Sequence, residues 1–136
     1  MRFIYLLLLP MIAALSLQAQ TDTSGKLPGG NDSVLTRVEM ESYFPGGVPA
    51  WIRFLNSHLT YPAKAVRKKI EGTVMVQFIV DKNGALSDIK AISGPELLQA
   101  AAVEVITNSP RWKPAVQDGR VVKSYKKQPI TFKLQP

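Results

Sequence analysis

The chain has 136 residues, enough for one domain, and its 46% hydrophobic and 20% charged content is an ordinary globular balance. There is no cysteine and one histidine, His58, which excludes disulfides and thiolate chemistry and argues against a zinc site. The net charge of +7 would point to nucleic acid in a cytoplasmic protein, but the amino terminus redirects that reading.

Arg2 precedes an apolar run from Phe3 to Leu17, broken only by Pro10 and Ser16, and Leu17-Gln18-Ala19 ends it with a small residue. This is the pattern of a secretory signal peptide over residues 1–19. The run is shorter than the ~20 residues that a membrane span uses. The alternative is an uncleaved inner-membrane anchor. An exported basic protein faces anionic envelope components or an acidic partner rather than nucleic acid. Residues 20–33 are rich in Thr, Asp, Ser, Gly, Lys and Pro and read as a flexible linker before a domain over 34–136.

Val34, Val38 and Met40 alternate with Arg37, Glu39 and Glu41, the pattern of an extra amino-terminal strand. Phe44-Pro45-Gly46-Gly47 breaks it. Trp51, Phe54, Leu55 and Leu59 then give one apolar helical face, with Pro49 in the first turn. Tyr61-Pro62 stops this helix and starts a second, whose inner face is Ala65, Val66 and Ile70 and whose end is Gly72.

Thr73 to Asp81 is the clearest strand, with Val74, Val76, Phe78 and Val80 on one face. Asp81-Lys82-Asn83-Gly84 reverses the chain into a strand over Ala85–Ser93. The apolar residues of that strand change phase, which predicts a β-bulge near Ser87-Asp88. Gly94-Pro95-Glu96 starts a helix with Leu98, Ala102, Val105 and Ile106 inward, and Pro110 ends it. After an Asp118-Gly119 turn the last strand runs from Arg120 to Leu134, with Val122, Ser124, Ile130, Phe132 and Leu134 inward.

The expected fold is therefore α+β in two layers. A three-stranded antiparallel sheet carries helices on one face, the Gly72–Val80 strand is central, and the carboxy-terminal strand is left on an edge.

Tyr61-Pro62-Ala63-Lys64-Ala65, Ile70 through Asp81, Asn83-Gly84, Pro110-Arg111-Trp112-Lys113-Pro114-Ala115 and Pro129 through Leu134 resemble the TonB carboxy-terminal domain family in order and spacing. The resemblance covers residues 44–134 and implies a TonB/TolA C-terminal-like fold. It also implies a function: a periplasmic domain that binds outer-membrane TonB-dependent receptors by adding their TonB-box peptide as a strand beside its last strand. The ExbB–ExbD motor is implied as a partner only if the chain is anchored. A homodimer is a further candidate assembly. A second function class is a structural, self-associating envelope protein that uses the fold with no transport role.

Two segments are the implied partner-binding residues. One is Asn56, Ser57, His58, Leu59 and Thr60, just before the Tyr-Pro pair. The other is the edge Val121, Val122, Lys123, Ser124, Tyr125, Lys126 and Lys127, whose lysines would favour an acidic peptide. Edge lysines also guard against aggregation, and Arg67-Lys68-Lys69 at a helix end complements the dipole. No catalytic motif, phosphate loop or metal-ligand spacing occurs, so no enzyme activity, cofactor or metal is expected.

Overall fold

The computed structural model describes residues 33–135. The expected signal peptide and nearly all of the linker lie outside the described residues. Two helices come first, α1 (Gly47–His58) and α2 (Ala63–Arg67). The hairpin β1 (Gly72–Val80) and β2 (Leu86–Ser93) follows, then α3 (Glu96–Thr107). A short hairpin, β3 (Ala115–Gln117) and β4 (Arg120–Val122), leads to β5 (Ser124–Phe132).

The main sheet is three-stranded and antiparallel in the order β2-β1-β5, as expected. Val74, Val76, Phe78 and Val80 of β1 are fully buried and face the helices. Burying each such side chain contributes about 1.5–3 kcal/mol. Leu98, Ala102, Val105 and Ile106 of α3 close over them, and Ile130 and Phe132 of β5 complete the layer. Trp112 stands edge-on to Phe78 at 5.1 Å and to Phe44 at 5.7 Å, and Phe44 lies 5.3 Å from Trp51. This aromatic chain fixes α1 to the sheet.

The bulge in β2 is present. Asp88 takes φ 52°, and the pairing slips between Gln77↔Lys90 and Ile79↔Ser87. A second slip, between Met75↔Ser93 and Val76↔Ala91, leaves Ile92 43% exposed.

Four expectations need correction. The end of α2 is not Gly72. Lys69 turns the chain at φ 57°, and the Ile70 amide donates to the Ala65 carbonyl at 2.9 Å, a Schellman closure without glycine. Gly72 opens β1 instead, where a Cβ would meet Pro95 Cγ at 2.8 Å. Val66 is exposed rather than inward, because a helix of five residues buries only Ala65.

The last strand is two strands, broken at Lys123: Arg120–Val122 pairs with β3, and only Ser124–Phe132 joins the sheet. The amino-terminal segment touches at three bridges rather than forming a continuous strand. Leu35 lies parallel to Ser124, and Met40 and Tyr43 lie antiparallel to Val116 and Lys113.

Candidate peptide-binding edge

β1 is paired on both sides, so β5 presents one sheet edge and β2 the other. The register of β5 against β1 is unbroken from Val80↔Ser124 to Gly72↔Phe132. In an antiparallel strand each residue turns both backbone groups to one side, alternating along the chain. The Tyr125 amide donates outward, to the Leu35 carbonyl at 2.9 Å. Lys127, Pro129 and Thr131 therefore also face outward. Pro129, which has no N–H, occupies one of these outward positions, so it costs the sheet no hydrogen bond.

The first part of this edge is already covered by the chain itself. The Leu35 amide donates to the Lys123 carbonyl at 3.0 Å, and the Leu35 carbonyl takes the Tyr125 amide. Beyond Leu35 the segment stays beside β5 through side chains, Glu41 pairing with Lys126, while the backbones of Met40 and Tyr43 pair with the run that leads into β3. Among the described residues, no partner meets the outward amides of Lys127 and Thr131. The Pro129 carbonyl meets only the neighbouring Gln128 amide group, at 3.3 Å. The open stretch is thus Lys127 to Thr131, about 13 Å at ~3.3 Å per residue.

The expected edge residues divide accordingly. Val121 and Val122 are not on this edge; they belong to the β3–β4 hairpin. Lys123 is the corner, and its carbonyl is used by Leu35. The Ser124 side chain is buried. Tyr125 is exposed on the far face of the sheet with its amide occupied. Lys126 points to the helix side and pairs with Glu41 at 3.1 Å, so its charge is already balanced. Lys127 is exposed, with its backbone facing outward.

The second expected segment lies at the other end of β5. Asn56, Ser57 and His58 close α1, Leu59 caps it, and Thr60 is exposed. The His58 ring stacks on Phe54 at 4.4 Å, and its Nδ1 is 3.1 Å from the Phe54 carbonyl oxygen. Tyr61 packs edge-on against Phe132 at 5.4 Å and donates its hydroxyl to the Ile70 carbonyl. Burial, helped by the negative charge of Glu71, raises the Tyr61 pKa above its ordinary value of 10.0. The two expected segments therefore flank the open stretch from opposite ends and do not meet.

Sequence reasoning missed Thr131 and the apolar groove beside Gln128, where Tyr43, Val48 and Trp51 face β5. Pro129, which lacks a donor and so suits an edge or a bulge, lies on the edge strand without a bulge in its pairing to β1. Among the described residues, no group of three or more acidic or histidine side chains could hold a metal.

The model of the Gram-negative bacterial TonB protein C-terminal family matches residues 57–134. The chain belongs to the TonB C-terminal family. Residues 57–134 include all three strands of the main sheet, α2 and α3, and both segments flanking the open edge except Asn56. Among solved structures, the chain is similar to the NMR solution structure of the Helicobacter pylori TonB C-terminal domain. Identity is 25%, covering 68% of this chain and 88% of that one, with a TM-score of 0.47. Among curated proteins, none matches.

Proposed function

We propose that this TonB-type domain works in the periplasm and binds extended segments of outer-membrane TonB-dependent receptors by strand addition along β5, in support of transmembrane transport. The observation that carries this reading is the open stretch Lys127–Thr131, with outward amides at Lys127 and Thr131 and a proline between them. An extended peptide satisfies those groups with main-chain hydrogen bonds. Asn56 to Thr60 would meet one end of such a peptide. Export follows from the proposed cleavage of residues 1–19. Among the described residues no helix is long and apolar enough to cross a membrane. Energy from ExbB–ExbD would reach the receptor through this chain only in an anchored form.

The test is titration of a labelled receptor TonB-box peptide against wild type, Lys127→Ala and Lys127→Pro. Lys127→Pro removes one outward donor and crowds the incoming backbone, so affinity should fall about tenfold with the circular dichroism spectrum unchanged. Lys127→Ala keeps the amide and should bind within about twofold at high salt. A folded Lys127→Pro variant that binds like wild type would overturn strand addition at this edge.

A further inference from the structure

A groove of about 270 Å³ runs beside the open part of β5. Tyr43, Val48, Trp51 and Trp112 line it from the helix side, and Lys126 and Gln128 from the strand. Val48 is 68% exposed and Tyr43 47%; Ile52, one helical turn beyond Val48, is 51% exposed. Tyr43 and Val48 thus present apolar surface beside Gln128, within the open stretch of β5.

The edge dictates the shape of the occupant. Outward amides at Lys127 and Thr131 accept an extended backbone. Side chains on paired strands stand on the same face at matched register. Every second side chain of an added strand would therefore stand with Lys126 and Gln128, over the groove. The remainder would face the side of Tyr125 and Lys127, where a cleft also takes in Thr36, Glu41 and Gln77.

The chemistry of the two sides differs. The ammonium at the groove mouth, on Lys126, is already paired with Glu41, so nothing there calls for a charged side chain. An apolar cavity of about 150 Å³ holds a benzene ring, and this groove is larger. The opposite cleft is as apolar as it is polar, and it carries one charge of each sign, the exposed Lys127 and Glu41.

We infer that the Tyr43–Val48–Trp51 groove is a side-chain pocket for the added strand. It selects extended segments with a large apolar residue beside Gln128. This inference rests on strand addition at β5 and adds to it one side-chain preference of the partner.

The test uses two fluorescein-labelled peptides of equal length and charge. One alternates Leu with Thr and Glu; in the other, each Leu is replaced by Ser. Wild type should prefer the Leu peptide about tenfold, the effect of covering one large apolar side chain. Val48→Asp places an acid in the first turn of α1, where the helix tolerates it. It should reduce the preference to about twofold or less without weakening the Ser peptide. Val121→Asp, on an exposed apolar residue that does not line the groove, should keep the preference. Equal binding of both peptides by wild type would overturn the pocket while leaving strand addition standing. So would a full preference retained by Val48→Asp, or a preference lost equally in Val121→Asp. If neither peptide binds wild type, the pocket and strand addition fall together.

Discussion

The Trp112 amide donates to the Gly84 carbonyl at 3.0 Å, tying the β1–β2 turn to the segment that leads into β3. Arg111 adds a second tie, to the Asn83 carbonyl at 3.1 Å. The approach is so close that a Cβ on Gly84 would lie 2.2 Å from the Trp112 carbonyl oxygen, and Gly84 already sits at φ +87°. Gly84→Ala should therefore cost about 2–5 kcal/mol, combining left-handed strain with a backbone clash. Gly119→Ala, at φ +74° with nothing near its Cβ, should cost only about 1–2 kcal/mol. Urea denaturation of the two variants measures the difference; equal midpoints would contradict it.

Hydrogen exchange should report the edge directly. The amides of Lys126, Gln128, Ile130 and Phe132 face β1 and should be protected, with Tyr125 also slowed by Leu35. Lys127 and Thr131 should exchange fast in the free domain and slow when a peptide is bound. Protection of both in the free monomer would contradict an open edge.

Ser42 and Ser124 bury their hydroxyls without a protein partner where the amino-terminal segment meets β5. A buried unsatisfied hydroxyl costs about 1–3 kcal/mol, so removing it relieves that cost. Ser42→Ala and Ser124→Ala should each be neutral or stabilising by up to about 1 kcal/mol, read as the midpoint of chemical denaturation. A loss above about 1 kcal/mol in either would mean that its hydroxyl is satisfied in solution.

The raised Tyr61 pKa sets a pH dependence. A raised acid pKa means that the folded state holds its proton more tightly than the unfolded chain. The contribution is therefore complete below the ordinary value of 10.0 and is lost as pH rises past it. Thermal melts of wild type from pH 8 to 11 should fall more steeply than those of Tyr61→Phe, which cannot ionise. Parallel curves would show that the tyrosine does not contribute.

The Lys126–Glu41 pair is a surface contact on one side, with the glutamate side chain 75% exposed. Glu41→Gln should change stability by less than about 1 kcal/mol, and less still at high salt. A larger loss in a salt-dependent melt would show that the pair anchors the amino-terminal segment to β5.

The core strands were legible because their constraint is local. Val74, Val76, Phe78 and Val80 alternate without interruption, and a strand buried on one face has no other way to place them. The phase change in β2 likewise announced its bulge at Asp88. Continuity from Arg120 to Leu134 was misleading, because the break at Lys123 comes from tertiary partners. Val121 and Val122 are claimed by β3, and Ser124 by β1. The same reason hid the open stretch of edge. Which part of β5 stays open depends on where Leu35 docks, and two backbone hydrogen bonds to Lys123 and Tyr125 leave no pattern in side chains.

The two slips in β2 matter for a hazard that any open sheet carries. Endless head-to-tail stacking would require the β5 edge of one molecule to pair with the β2 edge of the next. The β2 edge is interrupted twice along its eight residues, with Asp88 held at φ 52° between its pairing registers. It cannot offer a matched row of donors and acceptors to a regular neighbour. The two edges are thus unlike: β5 keeps an unbroken register and β2 does not, which works against head-to-tail pairing of one molecule's β5 with the next molecule's β2.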